Sequence, residues 1–300
     1  MKLSSKIFLL LALGIIWGMT IPLTKIAVST GHQPIGLIAW QLIFSIGALG
    51  AISVLRRVWP TFNRENIIYF LMIGALGTLL PNSFSYVAAA QLPAGVMAII
   101  MASVPMFSLA VALALRVEMF SAMRFAGVLL GAAAVVMLVG PETSLPDPQK
   151  AVFVLVALIA PVCYACEGNY IALRAPRGVD PLIAMLGASL LTVLIAAPLA
   201  LASGNWIDLS TPWGQPEWAL LASSLLHVVA YTSYISLVGK TGPVFSSQIA
   251  YVVTVAGVFL SALVLEESYS TWVWAALAVM LSGLALVQPR RAVKRAEAVK

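Results

Sequence analysis

Apolar runs of near-constant length follow one another along the whole chain, each closed by a short polar break. A helix needs about 20 apolar residues to cross the hydrocarbon core of a bilayer. On that template the pattern predicts ten helices: Ile7–Val28, Ile35–Leu55, Ile67–Ala89, Ala94–Leu115, Met123–Gly140, Ala151–Leu173, Leu182–Ala202, Trp218–Val238, Val244–Leu265 and Thr271–Val287. The break PETSLPDPQK separates the fifth from the sixth. No stretch between the runs is long enough for a water-soluble domain, so the fold class is an all-α membrane protein. The N-terminal MKLSSKIFLLLALGII has the basic and apolar regions of a signal peptide. The run continues through Trp17 and Ile21 without a clear cleavage site, which makes it a retained first span.

Charge orders these helices across the membrane. Lys and Arg accumulate in cytoplasmic loops. With the N-terminus inside, the inner loops hold Lys2, Lys6, Arg56, Arg57, Arg64, Arg116, Arg124, Arg174, Arg177 and Lys240, and the tail adds Arg290, Arg291, Lys294, Arg295 and Lys300. Of the 17 basic residues only Lys25 and Lys150 then fall outside. Adding or dropping one span would scramble this partition, so ten spans with both termini cytoplasmic is the expected topology. Trp206, Trp213 and Trp218 cluster around the longest outer loop, where an interfacial aromatic belt belongs.

Composition agrees: 61% of the 300 residues are hydrophobic, 9% are charged, and the mean hydropathy is +1.01. A soluble domain has about 25% charged residues, so the lipid bilayer is the expected solvent. The net charge of +6 and pI near 9.5 do not point to nucleic acid, because the basic residues lie between hydrophobic runs rather than in a patch.

The chain also looks doubled. Trp17 and Pro34 lie 147 positions before Tyr164 and Pro181, Tyr86 lies 148 before Tyr234, and Glu118 lies 149 before Glu267. A near-constant offset suggests an internal repeat. Five spans is an odd number, so the two copies would be inverted, an arrangement typical of secondary transporters, whose substrate site lies between the repeats. The expected division is a first repeat over 1–140, an outer linker over 141–150, a second repeat over 151–289 and a basic cytoplasmic tail over 290–300.

WGMTIPLTK, LPAGVMAIIMASVPMF with the following Glu118, and GPVFSSQIAYVVTVAGVFLSALVLEE together resemble the EamA-type drug/metabolite transporter superfamily, from about Leu9 to Val287. The resemblance implies ten helices in two inverted halves around a central cavity, serving efflux or uptake of small metabolites such as amino acids in a bacterial inner membrane. The family often carries proline in both the fourth and ninth spans. Here Pro105 is matched by Thr254, which argues against a symmetric kink.

PVCYACEGNY (161–170) brings the most polar chemistry into a span. A mid-span carboxylate costs about 2.5–3.5 kcal/mol, and ten Leu, Ile, Val or Phe residues at about −0.3 to −0.6 each outweigh it. The helix inserts, but Glu167 needs a cavity or a partner such as Arg174. Residues three and four apart share a helix face, so Cys163, Tyr164, Glu167, Tyr170 and Arg174 form one stripe. His227, Tyr231 and Tyr234 form a second, Thr78, Asn82 and Tyr86 a third, and Gln248, Tyr251 and Thr254 a fourth. Such stripes suit a polar solute and equally suit hydrogen bonds between helices. The expected binding or coupling residues are Glu167, His227, Asn82, Tyr86, Tyr164, Tyr231, Gln248 and Tyr251, with protons as the candidate coupling ion through Glu167 and His227. Pro22, Pro81, Pro105 and Pro161 each remove a backbone hydrogen bond and permit a kink.

Gly239-Lys240-Thr241 has the tail of a phosphate loop without its first glycine or a preceding strand. A redox use of Cys163 and Cys166 needs an accessible, electropositive setting, which mid-membrane beside Glu167 does not supply. An intramembrane thiol oxidoreductase is the rival from a different class. The expectation is a secondary transporter without cofactor, metal or catalytic residue, a monomer or homodimer. It would export a small metabolite such as an amino acid, or, with only gradient and direction changed, import one with protons.

Overall fold

The computed structural model describes residues 3–139, 147–210, 212–241 and 248–287. The predicted tail over 290–300, most of the linker over 141–150 and the first residues of the predicted ninth span lie outside these. Among the described residues all regular structure is helical. Twelve helices follow in order: α1 Leu3–Ala27, α2 Pro34–Arg56, α3 Arg64–Gly74, α4 Leu80–Gln91, α5 Ala94–Met101, α6 Val104–Ala114, α7 Ala122–Val139, α8 Val152–Arg174, α9 Pro181–Ala202, α10 Gln215–Thr241, α11 Ile249–Val264 and α12 Thr271–Val287.

Where their residues are described, the predicted runs fall on these helices. Seven described segments are long and apolar enough to cross a membrane, and α11 and α12 are shorter apolar helices. α10 has 27 residues but is more polar, carrying Glu217, His227, Tyr231 and Tyr234. Large apolar side chains face outward along the helices, among them Phe8, Val136, Leu194 and Leu263, the last 77% exposed. A bilayer gives such side chains an apolar solvent, while helices satisfy their own backbone there. The chain is an integral membrane protein.

Two predicted spans are not single α-helices, and proline explains both. α3 runs into α4 through a π turn over Ala75–Leu79, in which the Leu80 N–H bonds to the Ala75 carbonyl. Pro81 follows and has no N–H to give the Gly77 carbonyl four residues back. The helix widens there rather than breaking. Pro105 acts in the same way at the start of α6: α5 stops at Met101, and α6 begins at Val104. α11 passes through Thr254 without interruption, so the helix is broken at Pro105 and not at the matching Thr254. Caps fix other ends. The Asn63 side chain accepts from the Asn66 N–H at 2.8 Å to start α3, and Asp180 accepts from the Leu182 N–H at 2.8 Å ahead of α9.

Packing runs mainly between the two halves of the chain. α1 packs on α10 and α11, α2 on α9, α4 on α8, α5 on α11 and α7 on α12. Small residues let backbones approach without a side chain between them. A Cβ at Gly127 would meet the Gly283 carbonyl at 2.6 Å, and one at Gly283 would meet that of Gly127 at 2.7 Å. The largest apolar cluster, with Leu37, Ile38, Leu92, Ile99 and Leu284, draws on both halves. The two ends of the bundle are called here the Lys25 end, at the α4–α5 junction, and the Arg56 end, where Arg56 pairs with Asp180 at 3.1 Å.

Candidate functional site

The middle of α8 meets the π turn across the two halves. The Glu167 carboxylate lies directly against Gly77, where any side chain would collide with it. Glu167 is half-buried and has no hydrogen bond or ion pair among the described residues. The expected alternative of a pair with Arg174 is not formed, and Arg174 is exposed. Tyr69 on α3, Tyr164 one turn earlier on α8 and Tyr231 on α10 all lie near enough to interact electrostatically with the carboxylate. Tyr69 also stacks on Tyr170, with ring centroids 6.0 Å apart. π turns inside α-helices occur often at functional sites, and here one gives a carboxylate room beside bare backbone.

A hydrogen-bonded chain continues from this point. The Tyr164 hydroxyl donates to Asn82 Oδ1 at 3.1 Å, and Asn82 Nδ2 donates to Gln41 Oε1 at 2.8 Å. The Tyr86 hydroxyl donates to the same Gln41 oxygen at 2.5 Å. Asn82 and Tyr86 are buried and Gln41 partly so. The shared acceptor ties α2 to α4, and Asn82 carries the link on to α8. Gln41 was absent from the sequence expectations, although a lone carboxamide inside the apolar run Ile35–Leu55 is a readable signal.

Aromatic rings extend the site toward α1 and α10. His227 meets Trp17 edge to face at 5.7 Å and lies nearly parallel to Tyr231 at 6.4 Å, and Trp17 meets Tyr234 at 5.9 Å. Five expected residues (Asn82, Tyr86, Tyr164, Glu167, Tyr231) thus gather around the α4–α8 contact, and His227 adjoins them through Tyr231. Tyr251 stands apart, packed against the main apolar cluster with no side-chain hydrogen bond among the described residues. Gln248 sits at the turn leading into α11. Ser224 and Thr254 donate to carbonyls four residues back in their own helices, at 2.7 and 2.8 Å, a local use of the hydroxyl proton.

The rest of the CEGNY segment is structural. Asn169 Nδ2 donates to the Ser108 carbonyl and hydroxyl, each at 3.1 Å, and so holds α8 to α6. Cys163 is buried, Cys166 is half-buried, and the two thiols are free. Among the described residues no group of three or more His, Cys, Asp or Glu side chains is arranged to hold a metal ion.

Lys25 and Lys150, the two cations that charge partition leaves on the outer side, line one cavity of about 320 Å³ with Asp147 and Glu267. Lys25 and Glu267 are both engaged there with the helix ends at the α4–α5 junction.

The chain is similar to known proteins along most of its length. The chain matches the EamA-like transporter family twice, over residues 4–140 and 152–288. It is 26% identical over 284 residues to the uncharacterized inner membrane transporter YedA of Escherichia coli strain K12, covering 93% of this chain and 89% of that protein. The same figures hold for YedA of Escherichia coli O157:H7. A solved crystal structure aligns with a TM-score of 0.64 at 19% identity, over 97% of this chain and all of its own, a likeness of fold alone.

Proposed function

The chain belongs to the EamA-like transporter family, and on that premise we propose that it is a secondary transporter exporting a small organic metabolite, an amino acid or a solute of similar chemistry, by alternating access. In this reading ten spans form two inverted five-helix repeats in the inner membrane, with both termini cytoplasmic and the Lys25 end outside. The offsets of 147 to 149 residues, the paired family matches and the packing of one half on the other support that arrangement.

Glu167 carries the proposal. A carboxylate in an apolar helix is expensive unless something answers it, and here no described side chain does. A substrate ammonium or a proton would fill that role. Gln41, Asn82 and the tyrosine hydroxyls supply donors and acceptors for the remaining polar groups of the solute, and the rings around His227 supply an apolar wall. Protons are the proposed coupling ion, because Glu167 and His227 are the ionisable groups at mid-length of α8 and α10.

The test is uptake of a panel of labelled amino acids into proteoliposomes, with and without an imposed pH gradient, for the native protein and Glu167→Gln. Accumulation that needs the gradient and is lost in the variant supports a proton-coupled site at Glu167. Uptake that ignores both removes the coupling and the site together.

A further inference from the structure

Each helix end leaves backbone groups without intrahelical partners: carbonyls at the C-terminus and N–H groups at the N-terminus. The short junction between α4 and α5 exposes one end of each kind side by side, and two side chains from distant parts of the chain answer them. Lys25 Nζ, at the end of α1, donates to the carbonyls of Ala89, Ala90 and Leu92 at 2.7, 3.3 and 2.9 Å. Glu267, just after α11, accepts from the N–H groups of Ala94 and Gly95 at 2.9 and 3.3 Å. The Tyr269 hydroxyl donates to Glu267 Oε2 at 2.7 Å, and its ring lies against Gly95. A cation on carbonyls and a carboxylate on N–H groups are each the favoured sign at their helix end. The Glu267 contacts cross from one half of the chain to the other.

The repeat offset finds the same two charges elsewhere. Glu118 lies 149 residues before Glu267, and Arg174 lies 149 after Lys25. Arg174 occupies the last turn of α8 as Lys25 occupies the last turn of α1. The carbonyls at the matching places, those of Val238, Gly239 and Thr241, close the C-terminal end of α10. Arg174 does not engage them here. Arg174 is exposed without a side-chain partner among the described residues. Glu118 is 45% exposed and bound at 2.9 Å to Arg124 of its own half.

We propose that Lys25 and Glu267 form a latch holding the Lys25 end shut, and that Arg174 with the carbonyls closing α10 forms the counterpart of Lys25 at the Arg56 end, unengaged in this structure. The inference rests on the alternating-access reading and gives it a switch: engagement at one end accompanies release at the other.

Spin labels at Ala90 and Thr271, on either side of the Glu267 contact, test it by pulsed distance measurement on the full chain in lipid nanodiscs. The native protein should give one short, narrow distribution. Glu267→Gln should add a longer-distance population, and Tyr269→Phe, which removes the phenol's hydrogen bond to Glu267, a smaller one at the same distance. Adding Arg174→Gln to Glu267→Gln should shrink the long population, because both ends have then lost their hold. An unchanged distribution in Glu267→Gln and Tyr269→Phe overturns the latch, and a long population indifferent to Arg174→Gln overturns the counterpart. Distances that respond in these variants while the native protein moves no solute leave the latch standing and remove the transport reading.

Discussion

Glu167 and Glu267 are carboxylates in the second half of the same apolar chain, and their surroundings differ in kind. Glu267 has two backbone N–H donors and a phenol. Its charge is absorbed by groups that would otherwise be unsatisfied, so removing it weakens a joint. Glu167 rests against bare backbone with tyrosines nearby and no hydrogen bond among the described residues. No described side chain answers its charge. A carboxylate that completes the protein's hydrogen bonding stabilises the structure. One that does not is held in place at a cost to stability, and that cost points to use.

Four substitutions test this contrast, in decreasing order of effect. Glu167→Gln should lower transport roughly 10- to 100-fold, the loss of one charge-assisted contact worth about 1.5–3 kcal/mol, while the unfolding midpoint in detergent stays level or rises. A lower midpoint with transport intact would make Glu167 structural. Gly77→Ala places a methyl where the carboxylate now lies. The carboxylate ends a flexible side chain and can swing aside, so the protein should fold and lose about tenfold in uptake rate through misplacement alone. Glu267→Gln should differ from the first by lowering the unfolding midpoint, costing about 1 kcal/mol of stability through a weakened cap. Arg56→Met removes an exposed ion pair to Asp180 and should change stability by no more than about 0.5 kcal/mol, with uptake unchanged.

The helices were legible because lipid imposes their length: Thr271–Val287 was read to the residue and Ile35–Leu55 within one at each end. The interruptions were less so. Pro81 and Pro105 announce a lost hydrogen bond, but whether the helix widens or stops depends on what packs beside it. At the candidate site, Glu167, Tyr164, Asn82 and Tyr86 are each conspicuous as polar groups in an apolar run. The hydrogen bonds that link Tyr164, Asn82 and Tyr86 could not be read there, because they pass between helices and through Gln41. Gly77 carries no chemistry and matters only by being small next to Glu167. Tyr251 fitted a stripe equally well and packs into the core instead, since helical spacing says which residues share a face and not what that face meets.

The π turn at Ala75–Leu79 also sets the phase of everything after it. A π turn is an α-helix with one residue too many, and each residue of an α-helix advances the face by about 100°. Wound as regular α-helix with every residue kept, the segment would still be long enough to cross a bilayer. Asn82 and Tyr86 would then be turned by about that angle away from Gln41 and α8. Such a rewinding would leave the hydropathy profile untouched and take the polar centre apart. In this segment the way five residues are wound carries information that their composition does not.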